Sequence, residues 1–332
     1  MSFLDSLAAR LSGASRRIGF PEAREVRTRE AIRQLSTGGL VQPVVIEDFY
    51  EVADLLDDLP GLELLDPASL DVRRSVSGLL PVELKENATD PLVAAVALLK
   101  AGRIDGIVAG AHNPTATVVR AGLRVLGTAP GLDTVSGCFY MVVPGWEGTP
   151  EQVLTFADAA VVPHPSASQL ADIAEAACRA RPLVVGDEPR VAFLSYSTYG
   201  SAGGESVARV REALDIFRTR CPDVVCDGEL QVDAALSPEV AERKAPGSPL
   251  RGQANVLVFP DLNAANIGYK LLRTLGGAHA LGPILQGLAG PLNDLSRGAS
   301  IDDIVRVAYI TALMAGSGAR SGAGKPTGGE RA

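Results

Sequence analysis

The sequence predicts an α/β protein: two α/β domains with parallel or mixed sheets, facing one another across an interdomain cleft. Short apolar strand-like runs alternate with helical patterns across short turns, which argues for sheets covered on both faces. Polar turns follow strand ends in both halves of the chain, and ligands of open α/β sheets gather at such ends.

Taken in order, Arg16 to Phe20 reads as a short strand closed by Pro21, and a helix from Glu22 to Leu35 ends at Gly38-Gly39. Val44 to Glu47 is a strand and Phe49 to Leu56 a helix. Pro91 suits the first position of the helix that runs to Lys100, and Gly102 closes it. Ile104 to Ala109 is a buried strand, and Asn113-Pro114 starts a helix ending at Gly127. The strand Val135 to Val143 ends this alternation, and the turn-rich PGWEGTP at 144–150 reads as a hinge. Beyond it, strands at 153–156, 191–196, 224–227, 256–259 and 280–285 enclose helices at 167–181, 205–220 and 264–275. The chain then returns through Gly290 to Ala315. This gives 1–143 plus 289–315 as the first domain and 144–288 as the second, with the glycine-rich 316–332 as a disordered tail.

Composition excludes several classes of function. The net charge is −8 and no Lys/Arg run is flanked by aromatics, which argues against a nucleic-acid partner. An anionic ligand therefore has to be gathered by a local cationic pocket. The longest apolar run, Leu92 to Leu99, is far too short to cross a bilayer. The first twenty residues lack the apolar core of a signal peptide, so the expected location is the cytoplasm. Four cysteines form no CxxC pair and only three histidines occur, so no metal site is expected. No GxGxxG occurs, and GAGKP near the C-terminus lacks the flanking residues of a phosphate-binding loop.

The residue types needed for group transfer concentrate in GPLNDLSRGASIDDI, 290–304. Ser300 suits an N-cap, and Asp302 and Asp303 suit the first turn of the helix after it. Ile301, Ile304, Val305, Ala308, Tyr309 and Ala312 define that helix's apolar face, so Asp303 points away from the core, into water or a cleft. Ser296 and Arg297 lie one turn upstream. Together the three offer a base, a hydrogen-bond donor and a fixed cation. A structural alternative makes Asp303 only the capping-box partner of Ser300 and Arg297 a solvated charge.

Other strand ends add candidates. Asn113 and Thr115 supply donors at a helix N-terminus, and Arg120 and Arg124 share a face of that helix. Ser195, Ser197 and Thr198 precede a glycine-rich turn. Asn263 and Asn266 lie at or near a cap, with Tyr269 and Lys270 one turn later.

These stretches, together with FADAAVVPHPSASQLADIA (156–174), DGELQVDAAL (227–236), KAPGSPLRGQANVLVFPDLNAANIGYK (244–270) and NDLSRGASIDDIV (293–305), closely resemble phosphate acetyltransferases. The central stretch is most similar to the short, single-module members, among them the phosphotransacetylases of ethanolamine utilisation. The resemblance implies an architecture of the isocitrate/isopropylmalate dehydrogenase type. It also implies interconversion of acetyl-CoA and phosphate with acetyl phosphate and free coenzyme A. No tightly bound cofactor is implied, and a homodimer is expected. Ser296, Arg297 and Asp303 then line the reaction centre, Arg120 contacts a substrate anion or coenzyme A, and Asn266, Tyr269 and Lys270 lie near the acyl phosphate. Departures exist as well. PVELKENATDP leaves Lys85 where many members carry several cations, and Ala159 and Ala299 replace frequent cysteines, which disfavours an acyl-cysteine there.

The residues support direct transfer in a ternary complex. Asp303 takes the thiol proton, Ser296 donates to the developing oxyanion, and Arg297 with Arg120 holds the phosphate. Three rival readings remain: transfer of a longer acyl group such as butyryl, a metal- and NAD-dependent decarboxylating dehydrogenase, and a non-catalytic regulatory protein of the same lineage.

Overall fold

The computed structural model describes residues 2–11, 15–59, 61–145, 148–296 and 298–316. Two sheets organise it. The first is built from α1 (Phe3–Arg10), β1 (Arg16–Phe20), α2 (Val26–Gly38), β2 (Val41–Val45), α3 (Phe49–Asp58), β3 (Glu63–Leu64), α4 (Leu70–Val76), α5 (Pro91–Lys100), β4 (Gly106–Val108) and α6 (Thr115–Val125). The second takes in β5 (Ser136–Pro144), β6 (Glu151–Ala157), α7 (Ala167–Val184), β7 (Arg190–Leu194), α8 (Glu205–Arg220), β8 (Val225–Leu230), α9 (Val232–Leu236), α10 (Pro238–Lys244), β9 (Val256–Val258), α11 (Leu262–Leu275) and β10 (His279–Gln286). β11 (Leu292–Asn293) and α12 (Ile301–Ala315) return to the first sheet.

The first sheet has strand order β11-β4-β1-β2-β3, all parallel. All its strands therefore end along one edge, where the loops at 21–25, 109–114 and 294–300 come together. The second has order β10-β5-β6-β9-β7-β8, with β10, β5 and β6 antiparallel and the rest parallel. α5 is apolar all round because Leu92 to Leu98 are all buried. α12 packs on α2 and β4 of the first sheet and on α7 and β10 of the second.

The sequence division between the domains needs correction. The strand at 135–143 belongs to the second sheet as β5, and the hinge expected at 144–150 falls instead between two antiparallel neighbours, β5 and β6, where Pro144 pairs with Glu151. Gly145 N–H donates to Pro150 O at 2.9 Å. β5 is buried on both faces, so its apolar run carries no sign of which sheet it joins. The chain instead crosses between sheets after α6 and returns beside that crossing. Gly287, at φ +84°, stands there with Thr134 O only 2.2 Å from where a Cβ would be. The predicted tail, apart from Gly316, lies outside the described residues.

Two buried polar groups brace the assembly. Asn293, fully buried, accepts from Leu285 N–H and donates to Thr311 Oγ1, tying β10, β11 and α12. Arg181, 1 % exposed, donates to Thr155 Oγ1, Asn255 O and Val153 O and pairs with Asp187, so every buried N–H it carries toward β6 is met. α1 lies in an N-terminal stretch whose sequence is amphipathic, and it spans the domains: its Arg10 donates to the terminal carbonyls Leu183 O and Val184 O of α7.

Candidate active site

Where the loop after β11 meets α11 and β10, a cavity of about 90 Å³ is lined by Ser296 and Asp303 from one side and by Tyr269, Arg273, Phe139 and His279 from the other. Larger hollows exist, among them one of about 520 Å³ beside the interdomain crossings, but these contain none of the residues singled out for chemistry. The small cavity is the site to weigh.

Asp303 occupies both of the places the sequence left open, a helix cap and the wall of a cleft. It is the third residue of α12 and closes a complete capping box: Oδ2 accepts from Ser300 N–H at 2.9 Å and from Ser300 Oγ at 2.8 Å, while its own N–H donates to Ser300 Oγ at 3.2 Å. It is also half-buried and lines the cavity. Both of these bonds fall on Oδ2, so Oδ1 keeps its lone pairs among the described residues. The buried face of α12 is Ile304, Val307, Ala308, Ile310, Thr311 and Ala312, rotated from the predicted stripe, because Ile301, Val305 and Tyr309 are only partly covered. Ser296 is exposed on its loop, which is anchored by buried Leu295 and closed by Ala299 N–H on Ser296 O at 2.8 Å. Arg297 lies outside the described residues.

On the opposite wall, the Tyr269 ring stacks on Phe139 with centroids 4.3 Å apart. Burial raises the Tyr269 hydroxyl above its ordinary range, against the pull of Arg273 and a contact from Asn266. Asn266 thus flanks the wall without lining the cavity. Lys270 is exposed and 5.8 Å above the Tyr269 ring, also outside the lining. Arg273 and His279, which the sequence reading passed over, do line it. Arg273 was within reach, since four positions after Tyr269 puts it on the same helix face.

The loop at 110–115 departs from expectation. Asn113 and Thr115 were read as free donors for a ligand anion. Their donors go instead to two buried carboxylates of the chain itself. Glu22, 4 % exposed, accepts from Ala111, His112 and Asn113 N–H and from Asn113 Nδ2. Thr115 Oγ1 donates to Asp294 Oδ2 at 2.5 Å. Arg27 of α2 adds a third tie, donating to Ala299 O at 2.8 Å and to Ala111 O at 3.5 Å. The loop does bind anions, but they are structural. Arg120 is exposed on α6, has no hydrogen-bond or ion-pair partner among the described residues, and is not in the cavity lining. Ser197 and Thr198 are likewise spent on the chain, bonding Glu229 and Gln231 around the 195–204 turn.

A family profile described as phosphate acetyl/butaryl transferase matches residues 2–312. The chain belongs to that family. A phosphate acetyltransferase of Treponema pallidum is 43 % identical over 333 residues, spanning 95 % of this chain and 99 % of its own length. The transferase also superposes on a phosphotransacetylase from Streptococcus pyogenes with a TM-score of 0.88 at 37 % identity, covering 95 % of this chain and 98 % of that one. The EutD phosphotransacetylase from Staphylococcus aureus matches with a TM-score of 0.84 at 37 % identity, covering 94 % and 98 %. The resemblance read from the sequence, to the short phosphotransacetylases, stands, and so does the two-domain α/β architecture. The transferase is thus an acyltransferase; the dehydrogenase and regulatory readings have no support in these likenesses.

Proposed function

We propose that this transferase moves an acetyl group reversibly between coenzyme A and inorganic phosphate: acetyl-CoA + phosphate ⇌ acetyl phosphate + CoA. The observation that carries the reading is Ser296 and Asp303 of one domain facing Tyr269 and Arg273 of the other across one small cavity. In the direction of acetyl-CoA synthesis, Asp303 takes the thiol proton and the thiolate attacks the acetyl carbonyl. The C–S bond forms, Ser296 donates to the oxyanion, and the C–O bond to phosphate breaks. Arg297 and Arg120 hold the departing phosphate, Tyr269 forms the facing wall with Asn266 and Lys270 beside it on α11, and Asn113 and Thr115 fasten the loop before α6 to Glu22 and Asp294. The family description also covers butyryl transfer, but a cavity of about 90 Å³ favours the shorter acyl group. The purified chain is expected to release thiol from acetyl-CoA only when phosphate is present, with kcat/KM above that for butyryl-CoA by about tenfold or more, the discrimination that added methylenes in a small pocket can give. Equal values for the two thioesters would overturn the acetyl assignment.

A homodimer fits the surface. Ile267, Leu271 and Leu275 of α11 stand four apart and 59, 53 and 81 % exposed, an uncovered apolar stripe on the helix that carries Tyr269 and Arg273. Leu271→Lys is expected to shift the chain from dimer to monomer in sedimentation velocity; an unchanged sedimentation coefficient would remove α11 from the interface. All four cysteines are free, which agrees with work in the reducing cytoplasm on soluble small-molecule substrates.

A further inference from the structure

Beneath the Ser296 loop lies a carboxyl that the scheme above does not use. Asp294 is fully buried, and among the described residues its Oδ1 has no hydrogen-bond partner. Its Oδ2 accepts from Thr115 Oγ1, on the first residue of α6. The room it occupies is reserved by Gly110, whose φ is +100°: a Cβ there would stand 2.1 Å from Asp294 Oδ1 and 2.6 Å from Leu295 N. Two strand ends, those of β4 and β11, therefore meet on one side chain two residues ahead of Ser296.

We infer that Asp294 is a positioning residue for acetyl transfer, fastening the Ser296 loop to the start of the helix that carries Arg120. The inference rests on the assignment of Ser296 and Asp303 to the reaction. A buried carboxylate with one oxygen unmet is costly, whereas the protonated group leaves little to satisfy. Burial pushes the Asp294 carboxyl up to about 7, against the pull of Thr115 and of Leu295 N–H, and nearby Glu22 pushes it the same way. Among the described residues, the other charges on the surrounding elements have partners of their own or stand exposed, as Arg120 does. Arg27 bonds Ala299 O, Ala111 O and Glu25, Asp303 is held by Ser300, and His112 is exposed.

Because the folded value lies above the unfolded carboxyl value of about 3.9, folding favours the protonated form. The stability this group contributes falls as pH rises from about 4 to about 7 and is constant above that. Near neutrality the tie turns from a neutral carboxyl into a buried anion beside Glu22, and the loop it positions loosens.

The test compares the pH dependence of kcat for the whole wild-type chain, Asp294→Asn and Thr115→Val. Wild-type kcat is expected to fall threefold or more in a step centred near pH 7. Asp294→Asn still accepts from Thr115 but cannot ionise, so the step is absent. Thr115→Val removes a donor that favours the ionised form, so the step moves to higher pH. A step that survives unmoved in Asp294→Asn, or a wild-type kcat flat through this range, overturns the inference. Should Asp294→Asn fail to fold, the direction of the Thr115→Val shift still decides. A second measurement needs no activity: the urea midpoint of Asp294→Asn relative to wild type should rise between pH 5 and 8, and a constant difference contradicts the buried titration. If the wild type shows no phosphate-dependent thiol release at any pH, the acetyl-transfer reading fails instead, and the urea comparison still judges Asp294.

Discussion

Asp303→Asn is expected to lower kcat by about 10²- to 10⁴-fold, the range a positioned general base contributes. The KM values for acetyl-CoA and phosphate should stay near those of the wild type. Asparagine separates the two roles of this side chain. Its amide oxygen can still accept from Ser300 N–H and Ser300 Oγ, so the cap on α12 survives and the melting temperature should hardly move. What it cannot do is take a proton from a thiol whose ordinary pKa is about 8.5. Asp303→Ala loses the base and the carboxylate half of the capping box together, adding about 0.5–1.5 kcal/mol of destabilisation, while Ser300 Oγ still accepts from the backbone N–H of residue 303. A calorimetric scan with steady-state rates on both variants resolves the two effects. If Asp303→Asn turned over like the wild type, the half-buried aspartate in the cavity would be a helix cap and nothing more.

The parts of this molecule legible in the sequence are those set by local rules. The alternation of strand and helix, the Ser300–Asp303 capping box and the loop bearing Ser296 all follow from spacing within one turn or one strand. The parts that were not legible depend on partners far along the chain. Glu22 directly follows Pro21 and reads as the first residue of a helix, yet α2 begins at Val26 with Glu25 as its cap. Glu22 is drawn out of the helix by donors 89 to 91 residues away. Asp294 looks like one more polar loop residue until Thr115, 179 positions earlier, closes on it. Asn113 and Thr115 read as donors for a ligand anion, and nothing in a linear pattern says that their partners are the chain's own carboxyl groups. β5 went to the wrong domain for a similar reason, since a strand buried on both faces has no solvent side to orient it.

The largest stability effect is expected at Glu22. Its carboxylate accepts four hydrogen bonds, three of them from consecutive backbone N–H groups that have no other acceptor among the described residues. Glu22→Ala leaves those donors orphaned in a loop packed under the site, and a loss of about 3–5 kcal/mol is expected, measured as a lower urea midpoint at unchanged slope. Glu22→Gln is the sharper probe. Its oxygen keeps part of the bonding while its NH₂ faces donors, so its cost should fall between wild type and alanine. It also removes the negative charge that helps raise the Asp294 carboxyl. The step in kcat assigned to Asp294 should therefore move to lower pH in Glu22→Gln, opposite to its movement in Thr115→Val. Two neighbours that shift one titration in opposite directions, each by its own physical cause, would locate the proton on Asp294. A uniform loss of rate at every pH would instead mean that Glu22 supports only the loop.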